Sequence, residues 1–423
     1  MSKQLIVIGG GAAGFFCAVN AARLAPGLKV ILLEKSGKLL SKVKISGGGR
    51  CNVTHHCFDI EEMSRRYPRG RHFVKKAFHR FFTTDTINWF EQRGVNLKAE
   101  KDGRMFPVTD SSQTIIDCLM HEAHRYGVKI MLNTEVKSIK TNSAIGGAIF
   151  DIELREGGSM NADYVTIATG GYPKSSMFEW IERSGHTIEE PVPSLFTFNL
   201  PGNPITNLMG VSVEKAGVKI TGSKLQEEGP LLITHWGLSG PVILRLSAWG
   251  AHELALVKWN FTAQINWLPD YNEHVLREKF GNLRKELASM KLINRNPFGL
   301  PQRLWEFLIQ QSGISDQLRW AELPAKEQNK LIKNLCLCEC IVKGKTTFKE
   351  EFVTAGGIKL NEVDANTMMS KKIPGLFFAG EVLNVDGITG GFNFQHAWTS
   401  GFIAAATVGA TLAVAPLTVA PMR

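Results

Sequence analysis

Gly9, Gly11 and Gly14, with an acid at Glu34, are the first residues whose types and spacing could do chemistry. They lie in Gly9-Gly10-Gly11-Ala12-Ala13-Gly14, a G-x-G-x-x-G pattern. The first glycine permits a tight turn, the second lets backbone approach a pyrophosphate, and the third lets a helix pack closely on a strand. A helix opening at Ala12 and Ala13 would aim amide donors and positive potential at phosphate. Glu34 follows Gly14 by twenty residues, where a carboxylate accepts from ribose hydroxyls. An acid there, in place of a base, favours FAD or NAD over NADP.

Three further stretches could handle the same kind of ligand. Ser46-Gly47-Gly48-Gly49-Arg50-Cys51-Asn52-Val53 has three glycines in a row, read as exposing amides at Gly48, with Arg50 to neutralise phosphate. Tyr164–Ala168 reads as a strand that ends in Thr169-Gly170-Gly171, suited to a chain passing beneath a flavin. Near the end, a strand delivers Gly380 and Glu381, an acid for ribityl or phosphate-side contacts. Gly390-Gly391 then opens a final helix at Phe392 and Asn393. A helix N-terminus at the flavin N1/O2 edge stabilises the anionic hydroquinone. Two side chains are candidate proton donors. Cys51 lies beside Arg50, a cation that lowers a thiol pKa, and His235 precedes a glycine-rich turn. His396 is read as packing. Cys336, Cys338 and Cys340 alternate as on one face of a strand, without the C-x₂-C spacing of metal sites, so no metal is expected. There is no second clean G-x-G-x-x-G, so NAD(P)H as reductant would dock transiently at the flavin face.

The elements that must position these residues follow from hydrophobic pattern. Gln4–Ile8, Ala12–Ala25 and Lys29–Leu33 read as strand, helix, strand, a βαβ unit. Helices are expected at Asp85–Arg93 and Thr114–Tyr126, and strands at Val128–Leu132, Ile149–Leu154 and Pro374–Ala379. Pro191, Pro193, Pro201 and Pro204 mark a linker, after which Val211–Ile220, Leu231–Thr234 and Leu256–Ile265 read as strands. Trp236, Trp249, Trp259 and Trp267 are read as core of that β-rich unit. The expected organisation is a Rossmann-like α/β domain over 1–190, an inserted β-rich, barrel-like domain over 191–270 and a small helical insert over 271–335. Return strands over 336–353 and the second part of the α/β domain over 354–423 complete it.

Composition sets outer bounds. With 44% hydrophobic and 21% charged residues, the 423-residue chain suits a globular protein with a large core. Seven cysteines, an odd count without a disulfide framework, fit a reducing, cytoplasmic setting. The N-terminus runs straight into a buried strand and is not read as a signal peptide. The uncharged tail from Phe402 to Met422, interrupted by Pro416 and Pro421, is read as a buried helix with a frayed end, not a membrane span. Net charge is +10, and Lys35 to Arg80 alone holds twelve Lys/Arg against Asp59, Glu61 and Glu62. Such a block suits a polyanion such as RNA, or a few cations facing the pyrophosphate with the rest solvated.

Together with Thr234-His235-Trp236-Gly237-Leu238-Ser239-Gly240-Pro241 and Thr354-Ala355-Gly356-Gly357-Ile358, these motifs resemble the bacterial NAD(P)/FAD-dependent oxidoreductase family typified by aminoacetone oxidase-like flavoproteins. The resemblance spans essentially the whole chain; Cys336 to Cys340 has no match in it. It implies a two-dinucleotide-type FAD domain, an inserted β-barrel-like unit and a small helical unit. By position it implies FAD contacts at Gly11 to Gly14, Glu34, Lys35, Arg50, Asn52, Val136 (backbone to adenine), Gly380, Glu381 and Gly391 to Asn393. Members are linked to amine oxidation, reduction of unsaturated steroid intermediates and dihydrouridine formation in large-subunit ribosomal RNA. The expectation is hydride delivery from reduced flavin to an electron-poor double bond, with uracil in RNA preferred for the basic block. A small-molecule amine oxidase or enone reductase, and a non-catalytic FAD-stabilised RNA- or ribosome-binding protein, stay open. No oligomeric state follows from the sequence.

Overall fold

The computed structural model describes residues 2–144, 147–346 and 353–414. The chain forms two compact units, Met1–Pro193 with Lys349–Arg423, and Ser194–Phe348.

The first unit is built on β1 (Gln4–Ile8), an unbroken apolar run buried from Leu5 to Ile8 because strands flank it on both sides. β2 (Lys29–Leu33) pairs with it in parallel, Gln4 opposite Lys29 through Ile8 opposite Leu33. Lys129–Met131 lies beyond β2, while Tyr164–Ile167 and then Leu376–Phe378 lie on the other side of β1, all parallel. The chain therefore winds outward from β1 in one direction and returns to its opposite side. In open α/β sheets a ligand crevice lies at such a reversal, beyond the carboxyl ends of the strands. Here those ends are Ile8 and Ile167, which run into Gly9 and Ala168.

Between β1 and β2 the chain forms α1 (Ala12–Leu24), in which ten of thirteen residues are buried. It is enclosed because the C-terminal helix Phe392–Val414 packs along it. Gly401 allows this approach, since a Cβ there would lie 2.6 Å from the Ala13 carbonyl oxygen. Phe16 joins the two helices to Thr83–Glu91, its ring 4.6 Å from Trp89 and 5.2 Å from Trp398. The expected frayed tail beyond Val414 lies outside the described residues. No helix among the described residues is long and apolar enough to cross a membrane.

The second unit is a seven-stranded antiparallel sheet. Its order in space is Cys338–Lys343, Asn260–Asn266, Ser212–Ile220, Gln226–Thr234, Gly237–Ser239, Thr197–Asn199 and Lys345–Thr346. The two outermost strands are consecutive in the chain, joined at Gly344. That residue donates to Trp259 O on one side and accepts from Asn199 N on the other, so the sheet curls until its edges meet. The helices Glu273–Glu286, Gln302–Gln311 and Ala325–Cys336 bury Phe280, Trp305 and Leu331 in the same core as Val218, Ile233 and Ile265 of the sheet.

Three local expectations are corrected here. Leu256–Ile265 is not one strand: Leu256 ends a helix (Ala251–Leu256) and is 84% exposed, Lys258 and Trp259 turn the chain with positive φ, and the strand begins at Asn260. Trp249 is exposed, and of the four tryptophans read as core only Trp267 is fully buried. Cys336 closes a helix, so only Cys338 and Cys340 share a strand face.

Candidate active site

The loops at the reversal of the sheet meet edge to edge. Gly9 has φ +115°, and a Cβ on it would stand 2.9 Å from Thr169 Cα and closer still to Ala168 O. A Cβ on Gly14 would overlap the Gly9 carbonyl oxygen, so α1 starts directly on the turn. Gly11, the N-cap of α1, faces open space: nothing lies within 4 Å of its added Cβ. No side chain caps the helix there, which leaves its first-turn donors and positive end for a ligand. Glu34 is held at the end of β2. Its Oε2 accepts from Gly10 N at 2.8 Å, and its Oε1 from Ser36 N at 2.9 Å and Ser36 Oγ at 2.8 Å. A carboxylate accepts about four hydrogen bonds, so capacity remains for ribose hydroxyls. Lys35 Nζ stands 5.5 Å from the centre of the Tyr172 ring. Val136 is buried on the strand Val136–Ala144.

The returning strand brings Gly380 against Ala13, within 2.8 Å of an added Cβ, and Gly380 N donates to Ser400 Oγ at 2.8 Å. Ala13, Ala168, Ala379 and Ala397 form a small-residue junction beneath the crevice. Glu381 is engaged by its own chain: Oε1 accepts from Thr354 N at 2.8 Å and Oε2 pairs with Lys42 Nζ at 2.7 Å. Thr354 Oγ1 is buried beside Gly171 and Glu381 and finds no protein partner among the described residues. An uncapped helix start, an open glycine, an oriented acid and an unpartnered buried hydroxyl form a donor and acceptor set that fits a dinucleotide.

The Gly390-Gly391 turn is assembled from distant segments. In the amide orientation that satisfies both neighbours, Asn52 donates to Thr54 O at 3.0 Å and accepts from Gly391 N at 2.9 Å. Asn393 spends both ends of its amide on the Gly387 backbone. Phe392 stacks on His55, ring centres 4.6 Å apart, and its carbonyl accepts from Tyr67 Oη at 2.7 Å. His55 Nδ1 lies 2.9 Å from Gly390 O. Asn52, Phe392 and Asn393 thus fix the turn that presents the helix start. Neither His55 nor Tyr67 was singled out from sequence for this role, because their partners lie more than 300 residues away.

Arg50 departs from its expected role. Its guanidinium pairs with Glu100 at 2.6 Å and Asp110 at 3.6 Å and lies 3.9 Å over the Phe106 ring, so it is neutralised within the protein. Cys51 is therefore not activated by a neighbouring cation. It is fully buried, at φ +62°, and burial pushes its thiol up to about 12, opposite to the expected direction. Gly47, Gly48 and Gly49 all have positive φ; Gly47 packs against Phe106, whereas Gly48 and Gly49 have open space around them. His396 is buried, and desolvation lowers it to about 4. In the second unit, His235 is exposed on the tight turn between Gln226–Thr234 and Gly237–Ser239, edge-on to Trp236 at 4.4 Å. Cys338 and Cys340 are hydrogen-bonded, which lowers Cys338 and raises Cys340. No group of three or more His, Cys, Asp or Glu among the described residues could hold a metal.

The sequence matches the family described as HI0933-like protein Rossmann domain over residues 3–407. The "Ribosomal RNA dihydrouridine synthase" of Escherichia coli (strain K12) is 32% identical over 411 residues, 95% of this chain and 96% of that protein. The "3-dehydro-bile acid delta(4,6)-reductase" of Clostridium scindens is 27% identical over 414 residues, 95% of this chain and 98% of that one. In fold, the chain is similar to 3-ketosteroid-delta4-(5alpha)-dehydrogenase from Rhodococcus jostii RHA1, with a TM-score of 0.52 and 13% identity over 96% of this chain and 97% of the other. A match of this extent, on a crevice whose groups suit a dinucleotide, settles the assignment: the chain belongs to the HI0933-like Rossmann-domain family and is an FAD-dependent oxidoreductase.

Proposed function

We propose that the chain reduces the C5=C6 double bond of a uracil in large-subunit ribosomal RNA, forming dihydrouridine. The observation that carries this reading is the end-to-end similarity to a relative named for that reaction. Reduced FAD, when bound, supplies the hydride of this two-electron addition. In this reading the amides at Gly11, Ala12 and Ala13 hold the pyrophosphate, and Glu34 accepts from the adenosine ribose. The backbone at Val136 faces adenine, while Lys35, Gly48, Thr169, Gly170, Gly380 and Glu381 border the remaining length. The start of the C-terminal helix, set by Asn52, Gly391 and Asn393, puts its positive end where negative charge accumulates. A proton drawn from solvent completes the addition. Cys51, buried and protonated, packs the turn. A reductant of the NAD(P)H class docks transiently at the same face, and an RNA substrate of this kind places the protein in the cytoplasm.

The test is purified flavoprotein with NADPH and ribosomal RNA from cells lacking the gene, read by nucleoside mass spectrometry. Dihydrouridine appears with the native chain and NADPH, and does not appear when either is left out. No dihydrouridine with the native chain sinks the reading. The bile acid reductase relative favours a second reading, reduction of a small-molecule enone. Turnover of enones with RNA untouched would select it.

A further inference from the structure

We propose that RNA is held through a cationic groove between the helix Arg71–Phe78 and the segment 360–371, an inference that rests on the ribosomal RNA reading above. The run Arg71 to Arg80 alternates in pairs. Phe73, Val74, Ala77 and Phe78 are buried, while Arg71, His72, Lys76, His79 and Arg80 face solvent. These cations are not equivalent. Glu61 takes Arg65 at 3.4 Å, Lys75 at 2.6 Å and Arg71, which holds its carboxyl down to about 2 through Lys75 and then Arg71. Arg66 pairs with Glu62, and Arg69 with Asp386. Five cations of the basic block are therefore tethered to carboxylates, three of them sharing Glu61. Lys76 and Arg80, one turn apart, pair with no carboxylate among the described residues.

His72 and Lys76 line a groove of about 470 Å³ whose opposite wall carries Asn361, Asn366 and Lys371. Lys371 Nζ donates to Asn361 O at 2.9 Å, which fixes the ammonium at the groove without cancelling its charge. Asp364 is the acid in this lining, and its Oδ1 already accepts from Asn366 N at 2.9 Å. Ammonium groups on both walls, with side-chain amides beside Lys371 on one of them, suit a single-stranded phosphate backbone with hydrogen bonds to sugars or base edges. The groove also adjoins the active site. Gly70 at its end packs on Val385, Ile388 N donates to Arg66 O at 3.0 Å, and Tyr67 bonds the Phe392 carbonyl. A strand gripped here lies one loop away from the Gly390-Gly391 turn.

The experiment is binding of an unmodified large-subunit RNA fragment to the FAD-loaded chain across a salt series. Each single-strand phosphate contact contributes about 0.7 to the slope of log K against log salt. Losing two in Lys76→Ala/Lys371→Ala lowers that slope by about 1.4, roughly 25-fold weaker binding at ~0.1 M salt if affinity at ~1 M is unchanged. Lys371→Ala lowers it by about 0.7. Lys75→Ala, whose ammonium is tethered to Glu61 and does not line the groove, leaves it unchanged. Flavin content and melting curves should match the native chain in all variants. A native slope in the double variant overturns the proposal, as does an equal loss in Lys75→Ala, or binding to anionic vesicles in place of RNA. If the RNA is bound with these slopes but no uracil is reduced, the functional reading fails and the groove stands.

Discussion

Two alanine substitutions three positions apart, at the N-cap of α1 and in its first turn, separate ligand contact from packing. Gly11 and Gly14 belong to one motif, yet the structure gives a methyl group opposite consequences at each. At Gly14 the methyl overlaps the Gly9 carbonyl oxygen, and ordinary contact is restored only if α1 withdraws by more than about 1 Å. Replacing glycine inside a helix otherwise gains about 1 kcal/mol, and overpacking costs about 1–3 kcal/mol, with a rigid backbone atom at the high end. The flavin-free Gly14→Ala chain should therefore be less stable by roughly 2 kcal/mol. At Gly11 the methyl meets nothing within 4 Å and φ is −92°, so the flavin-free chain loses at most about 1 kcal/mol from the N-cap. With ligand present, that methyl stands between backbone and pyrophosphate. Loss of one charge-assisted hydrogen bond, about 1.5–3 kcal/mol, weakens FAD roughly 10- to 150-fold. The assay is urea unfolding of the stripped chain, then FAD titration followed by flavin fluorescence. Native FAD affinity in Gly11→Ala would remove the pyrophosphate from this turn. Unchanged stability in Gly14→Ala would refute the packing argument.

Other residues give independent checks. Glu34→Gln removes the charged acceptor beside Gly10 and Ser36 and should weaken FAD roughly tenfold; equal affinity would separate Glu34 from the ribose. His396 is lowered from 6.5 to about 4 by burial, partly opposed by the Gly380 carbonyl. Between those values the unfolded chain binds more protons, so about 3 kcal/mol of stability is lost as pH falls from roughly 6.5 to 4. His396→Gln should flatten that part of the stability–pH curve, and an unchanged slope would refute the assignment. Cys338 is the cysteine that is not buried, and the Cys340 thiol lowers it, so iodoacetamide at neutral pH should label it first. Cys51, pushed up to about 12, should stay unlabelled until the chain unfolds, and equal labelling of both in the native state would contradict its burial.

The βαβ unit was legible because each signal is local: an apolar run, glycines at fixed offsets, and an acid at the end of the next strand. The returning strands at 164–167 and 376–378 were legible as apolar runs feeding glycine. Side-chain fate was not legible where it depends on partners far along the chain. Arg50 looked free for phosphate, but Glu100 and Asp110 claim it. Asn52 looked like a ligand contact, yet it fixes Gly391 from the other end of the sequence. The basic block looked uniform until Glu61 sorted it into clamped and unclamped cations. Leu256 and Val257 misled because an exposed apolar pair at a helix end has the same composition as a strand start.

The central claim is tested most directly by a single turnover without any pyridine nucleotide. Photoreduced, FAD-loaded chain is mixed anaerobically with unmodified large-subunit ribosomal RNA, and flavin absorbance and dihydrouridine are followed together. The account predicts that the flavin reoxidises in step with the appearance of one dihydrouridine per FAD. A flavin that stays reduced in the presence of RNA, yet is reoxidised by an enone, would contradict it.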